Sequence, residues 1–305
     1  MKMYDAVVIG GGPAGMTAAL YLLRAGVQTA MIEKLSPGGQ VLMTSEIENY
    51  PGFPTGLQGW ELADKFAAHL EPYPLERVND EVRSIEFGPD GHVIKVGEED
   101  VRAKAIILAT GSRYRKLGVP GEERLLGRGV SYCALCDGNF FRGRDVAVVG
   151  GGNSALEEAL YLSRICSKVY LVHRREEFRG QAIYQHKCIK NANIEIIRST
   201  VIDEIVGADG VESLALRHAT SGETSSINVD AVFIFVGFEP IMDFVPEEVE
   251  KDRNGIITDV EMRTSIPGLF AAGDIRSKLC RQVASAVGDG ATAANSAFAY
   301  LEQLG

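Results

Sequence analysis

The sequence predicts an α/β protein with two Rossmann-like nucleotide-binding domains. Three observations predict it. Two glycine-rich fingerprints, Gly10-Gly11-Gly12-Pro13-Ala14-Gly15 and Gly150-Gly151-Gly152-Asn153-Ser154-Ala155, each follow a short apolar run and precede a helical pattern. The two units run in register, since Gly10 to Glu33 and Gly150 to His173 are both 23 positions apart. At 305 residues the chain is long for one domain and sufficient for two, each burying its own core.

In the first unit, Tyr4 to Ile9 is a nearly continuous apolar run, the pattern of a parallel strand covered on both faces. A helical pattern follows through Met16, Ala19, Leu20 and Leu23 to Gly26, and a second strand, Thr29 to Ile32, ends at Glu33. The glycines allow a tight turn and close approach of backbone to a pyrophosphate, and the helix N-terminus faces that phosphate with its N–H groups. Glu33 is placed to hold the ribose hydroxyls of an adenosine. The stretch with Gly38-Gly39-Gln40, Thr44 and Asn49-Tyr50-Pro51-Gly52 is too polar and glycine-rich for core, and a plain surface connection is the reading that composition leaves open. Trp60 to Leu70 reads as an amphipathic helix, and Val82–Ile85, His92–Val96 and Val101–Leu108 read as strands, the first two joined by a turn at Pro89-Asp90-Gly91. The last ends at Ala109-Thr110-Gly111.

The pattern restarts with the strand Asp145 to Val149, the second fingerprint, a helix from Ser154 to about Arg164 and the strand Lys168 to Val172. Here His173 stands where the ribose acid would be, and Arg174, Arg175 and Arg179 follow. A carboxylate would repel a 2′-phosphate, whereas guanidinium groups bind it bidentately. The second site is therefore built for NADP(H) and the first for a nucleotide without that phosphate. Strands near 194–197, 201–205, 214–216 and 231–236 complete this region before Gly237-Phe238-Glu239-Pro240 breaks the chain. Leu269 to Ala272 is a further strand, ending in Gly273-Asp274, and Arg281-Gln282-Val283 opens a long helix to Leu304, interrupted at Gly288-Asp289-Gly290. Asp274 reads as a helix cap or as part of a ligand site.

Between the fingerprints lies Cys133-Ala134-Leu135-Cys136-Asp137. Two cysteines at this spacing can close a small disulfide ring, and a carboxyl group beside the second is the minimum equipment for exchanging two electrons and protons with another disulfide. The same spacing serves as half of a zinc site, but no second Cys/His pair completes one. Cys166, Cys188 and Cys280 have no partner at redox spacing and read as packing or incidental residues.

Composition narrows the partners. A net charge of -10 argues against a nucleic-acid surface. No apolar run reaches the about 18 residues of a membrane-spanning helix, and Met1-Lys2-Met3-Tyr4 runs directly into a strand rather than a secretory signal, so the expectation is a soluble, cytoplasmic protein. An odd count of five cysteines does not suit a secreted disulfide framework.

Taken together, Gly-x-Gly-x-x-Gly, Gly38-Gly39-Gln40, Glu48-Asn49-Tyr50-Pro51-Gly52, Ala109-Thr110-Gly111, Cys-x-x-Cys-Asp-Gly, Gly-x-Gly-x-x-Ala, His-Arg-Arg-x-x-x-Arg and Ala271-Ala272-Gly273-Asp274 with Arg281-Gln282 resemble, in order and over essentially the full length, the low-molecular-weight, bacterial-type thioredoxin reductases. These are pyridine nucleotide-disulfide oxidoreductases of class II type. The resemblance implies an FAD domain made of residues 1–113 and 241–305, with an NADPH domain carrying the Cys-x-x-Cys inserted at 114–240. It places FAD along Gly10, Gly12, Pro13, Ala14, Gly15, Glu33, Lys34, Gly39, Gln40, Thr44, Asn49, Val82, Gly111, Gly273, Asp274, Arg281, Gln282 and Val283. It places NADPH on Gly152, Asn153, Ser154, His173, Arg174, Arg175 and Arg179. By the same resemblance Cys136 faces the flavin, Cys133 attacks the partner disulfide and Asp137 is the acid/base. Arg128 and Phe140-Phe141 help dock thioredoxin, although Asn139 stands where many relatives are aromatic. The chain would be a homodimer, and the inserted domain would rotate about its two crossings near 111–118 and 237–243. Alternative readings are a reductase of another disulfide protein, peroxiredoxin-linked or glutaredoxin-like, a ferredoxin-NADP reductase, which needs no cysteine pair, and a non-catalytic flavoprotein redox sensor.

Overall fold

The computed structural model describes residues 2–304 except Ser45 and Glu48, with the backbone alone for Met43, Glu46, Leu135 and Cys136. The chain divides into two compact units, Met1–Arg113 with Glu239–Gly305, and Tyr114–Phe238.

In the first unit the strand Lys2–Ile9 is central. It pairs in parallel with Thr29–Ile32 on one side and Glu99–Leu108 on the other. Its alternation serves two cores: Ala6 and Val8 face one, Val7 and Ile9 the other. The outer strand Glu76–Val78 joins Thr29–Ile32 in parallel. The long strand Glu99–Leu108 is shared, its first half antiparallel to His92–Val96 and its end parallel to Leu269–Ala271. That last pairing returns the C-terminal segment to the sheet beside the first fingerprint.

Helix α1 (Pro13–Arg24) starts where the fingerprint ends, with Pro13 in its first turn, and stops at Gly26. Helix α2 (Gly59–Ala68) opens with a capping box between Gln58 and Glu61. In the second unit, α3 (Ala134–Asp137) starts directly after Cys133 and contains Cys136, α4 (Asn153–Leu162) follows the second fingerprint and α5 (Ala182–Lys190) precedes the strand Ile194–Ile197. Its parallel sheet runs Val130–Ser131, Ala231–Phe235, Asp145–Gly150, Lys168–Val172, Ile194–Ile197. One face packs on α4 through Val146, Val148, Leu156, Ala159 and Leu162. The other is covered by an antiparallel sheet of Thr200–Val206, Ser213–His218 and Thr224–Asn228, through Ile202, Ile205, Leu214 and Leu216.

Three differences from the sequence reading have physical causes. The strand Thr224–Asn228 was not anticipated, because Thr-Ser-Ser-Ile-Asn has only Ile227 to bury and is held by pairing rather than by a core. The crossings between units, whose sequence holds glycine and few secondary-structure signals, contain a two-stranded ribbon of Ser112–Tyr114 and Phe238–Pro240. Finally, helix α6 (Val283–Gln303) runs unbroken through Gly288-Asp289-Gly290. Its inner stripe of Ala286, Gly290, Ala293, Ala294 and Ala297 lies against α1, and a Cβ at 290 would stand 2.2 Å from the Ala14 carbonyl oxygen. The glycine is thus a close-approach residue rather than a helix breaker. Gly290→Ala should lower unfolding stability by about 1–3 kcal/mol through overpacking at the α1–α6 contact. Urea denaturation checks this, and an unchanged midpoint would contradict so tight a crossing.

Candidate active site

Both fingerprint turns end in a helix whose first N–H groups are open. Neither α1 nor α4 has a side-chain cap or an acidic residue in its first turn. A Cβ at the N-cap glycines Gly12 or Gly152 would meet nothing within 4 Å. Each helix start therefore has room beside it and no side-chain cap for its first N–H groups, a fit for phosphate groups. By contrast a Cβ at Gly15 would stand 1.8 Å from the Gly10 carbonyl oxygen, so the turn itself admits no side chain there.

In the first unit Glu33 turns back onto the fingerprint, its carboxylate accepting from Gly11 N at 2.7 Å and Leu35 N at 2.9 Å. Lys34 points to the surface and pairs with Glu81 at 3.0 Å. Val82 buries its side chain in the sheet core, which leaves only backbone for any ligand contact. The loop after Gly38 is tied down on both sides: Gln40 Nε2 donates to Ser112 O at 3.1 Å beside Gly111, and Asn49 Nδ2 donates to Gln282 Oε1 at 3.0 Å at the start of α6. Thr44 Oγ1 donates back to Gln40 O at 3.4 Å. This is a built wall rather than a free surface connection. Glu48 lies outside the described residues. Gly273 and Asp274 form a short turn after Leu269–Ala271, and Arg281 Nη2 donates to Asn254 O at 2.8 Å while its Nε has no partner.

A group that sequence reasoning missed stands behind that turn. Asp289, on α6, accepts from Gly273 N at 3.0 Å and Lys278 Nζ at 2.9 Å through Oδ2, and from Arg276 at 2.8 Å through Oδ1. Lys278 also lies 3.7 Å from Asp274 Oδ1 and 3.3 Å from Ser285 Oγ. Burial pushes the Asp274 carboxyl up, and the Lys278 and Arg281 charges oppose it. The only sequence signal was an acid between two glycines in an otherwise helical run.

In the second unit the ring of His173 is buried beneath Gly151 and stacked on Phe178. Its Nε2 lies 3.1 Å from Glu177 O. Burial, and then the charges of Arg179, Arg174 and Arg175, hold its pKa below the ordinary histidine value. His173 thus supports the strand end while Arg174, Arg175 and Arg179 remain exposed beside it. The segment after them clasps the fingerprint: Arg179 N and Gly180 N donate to Gly151 O, and Gln181 N donates to Asn153 Oδ1 at 2.7 Å. Glu176, inside the arginine run, is held by Ser199 Oγ at 3.0 Å and Arg198 at 3.6 Å.

Cys133 is disulfide-bonded and buried, at 6% exposure. Its N–H donates to Ser131 Oγ at 3.0 Å, and Asp137 N donates to its carbonyl at 3.2 Å. The side chain of Cys136 lies outside the described residues. The preceding Tyr132 is anchored through its hydroxyl to Glu122 at 2.6 Å, a buried carboxylate that also accepts from Leu117 N and Gly118 N. Beside α3 lies a depression of about 440 Å³ lined by Arg128, Ser131, Asp137, Phe140, Phe141 and Arg144, with Phe140 81% exposed. Cys166 and Cys188 are buried free thiols pushed up to about 11 by burial, which suits packing. Among the described residues no helix is long and apolar enough to cross a membrane.

The pyridine nucleotide-disulphide oxidoreductase family matches residues 4–290. A thioredoxin reductase of Listeria innocua is 46% identical over 306 residues, covering 99% of this chain and 95% of its own. One from Bacillus subtilis is 44% identical over 305 residues, covering 99% and 96%. A crystal structure of Lactococcus lactis thioredoxin reductase superposes with a TM-score of 0.96 at 44% identity, covering 98% of this chain and 99% of that one.

Proposed function

The chain belongs to the pyridine nucleotide-disulphide oxidoreductase family, and from that premise we propose that it is an NADPH-dependent flavoprotein that reduces the disulfide of thioredoxin. The observation that carries this reading is a disulfide-bonded Cys133 beside Asp137 on the same unit as the arginine-flanked second fingerprint. FAD, when bound, supplies the two-electron carrier between a hydride donor and a dithiol.

The chain's own residues do the rest. In the first unit the α1 N-terminus holds the FAD pyrophosphate and Glu33 the adenosine ribose. The wall of Gly39, Gln40, Thr44 and Asn49, with Arg281 to Val283 and Asp274, encloses the remainder. In the second unit the α4 N-terminus, with Gly152, Asn153 and Ser154, binds the NADPH pyrophosphate, and Arg174, Arg175 and Arg179 bind its 2′-phosphate. Once the pair is reduced, the Cys133 thiolate attacks a sulfur of the partner disulfide and expels the other as a thiol. Cys136 then attacks Cys133, re-forming the ring and releasing the partner as a dithiol. Asp137 carries the proton at the Cys136 sulfur, and Arg128 with Phe140 and Phe141 receives the partner.

Since the cysteine pair would serve both a cofactor held by the other unit and a protein substrate, the inserted unit turns about the paired crossing strands in each cycle. A cross-link fixing the two units while FAD stays bound should stop turnover; a linked protein working at the unlinked rate would dispose of the rotation. The same reading makes the protein a cytoplasmic homodimer, which sedimentation velocity tests as twice the chain mass. The functional test is NADPH oxidation with oxidised thioredoxin and with glutaredoxin. Turnover with thioredoxin supports the proposal. Turnover with glutaredoxin alone, or with neither, refutes it.

A further inference from the structure

Position 289 breaks local rules. An aspartate flanked by glycines in the interior of a helix gives three poor helix formers in a row, yet α6 is continuous there. Such conflicts are expected where a function requires them. Asp289 is also a charged residue whose side chain is only 12% exposed, and it is fully paired, to Arg276, to Lys278 and to the Gly273 N–H.

The location gives these bonds a purpose. Gly273 adopts φ +77°, and a Cβ there would stand 2.9 Å from the Ala14 Cβ at the start of α1. A Cβ at Gly290, next to Asp289, would collide with the Ala14 carbonyl. The Gly273 turn, Asp289 and the phosphate-facing end of α1 therefore meet at one point. Asp274 follows in that turn. A carboxylate repels a pyrophosphate and accepts bonds from hydroxyl groups, and Glu33 already takes the adenosine ribose. The hydroxyl-bearing part of FAD left for Asp274 is the ribityl chain. To accept there with both oxygens Asp274 has to stay ionised in a half-buried place, its side chain 30% exposed, and a nearby counter-charge favours that form. Lys278 stands between Asp274 and Asp289, with its side chain 10% exposed.

We propose that Asp289 and Lys278 are positioning residues for FAD: Asp289 fixes the Gly273 turn and anchors Lys278, and Lys278 holds the Asp274 carboxylate ionised and oriented toward the ribityl hydroxyls. The inference rests on the reading of the protein as an FAD enzyme.

Apoprotein is prepared from the wild type and from D289N, K278M and K278R, and each is titrated with FAD by fluorescence quenching, with thermal unfolding of each apoprotein recorded in parallel. D289N and K278M should weaken FAD binding at least about tenfold, about 1.4 kcal/mol. K278R, which keeps the charge, should stay within about threefold of wild type. The K278M and K278R apoproteins should unfold at matching temperatures, whereas D289N, which leaves Arg276 and Lys278 short of their shared carboxylate, should unfold lower, so the K278M and K278R pair carries the test. If D289N does not yield soluble apoprotein, K278M against K278R decides the matter. Wild-type affinity in D289N and K278M overturns the proposal, and so does equal weakening in K278R and K278M. A wild-type apoprotein that takes up no FAD overturns the flavoprotein reading instead.

Discussion

Replacing Cys133 with serine should leave a protein whose flavin NADPH still reduces and whose disulfide reductase activity has fallen by on the order of 10⁴-fold or more. Cys133 is disulfide-bonded, and serine cannot form that bond. Its hydroxyl is also far too weak a nucleophile at neutral pH to open a partner disulfide. The proposed nucleotide sites lie on other elements, at the starts of α1 and α4, so hydride uptake should survive. Stopped-flow absorbance follows flavin reduction, and steady-state NADPH oxidation with thioredoxin follows the overall reaction. A variant that reduces thioredoxin at the wild-type rate would remove the disulfide from the pathway.

The second large effect concerns the coenzyme. Arg174 and Arg175 are exposed, just after a strand that is followed by a buried histidine rather than an acid. Changing both to glutamine should lower kcat/KM for NADPH by about 10²-fold, since a hydrogen bond to a charged group contributes about 1.5–3 kcal/mol. NADH lacks the 2′-phosphate, so its kcat/KM should move by less than about twofold. Equal losses with both coenzymes would show that the arginines act on the fold and not on the phosphate.

The parts legible in the sequence are those where one strand, one turn and one helix are contiguous. Gly10 to Glu33 and Gly150 to Val172 fold as their apolar runs and glycines indicate, because period, turn chemistry and helix start agree locally. What stayed hidden depends on contacts between distant segments. Asn49 meets Gln282, Gln40 meets Ser112 and Asp289 meets Gly273, and no local pattern records such pairs. Likewise His173 is a spacer in the register of the motif, and only the fold reveals its ring packed under Gly151. Gly288-Asp289-Gly290 misled for the opposite reason. Helix propensity is a weak prior, and here the close approach of Ala14 outweighs it.

Electrons are expected to pass from NADPH through FAD to the cysteine pair. This path is tested most directly by counting thiols after anaerobic reduction of the FAD-loaded protein with excess NADPH, with unfolding in the presence of a thiol reagent. Two thiols per chain beyond those of the oxidised protein are expected, and none beyond in Cys133→Ser. A reduced flavin with no gain of thiols in the wild type would contradict it.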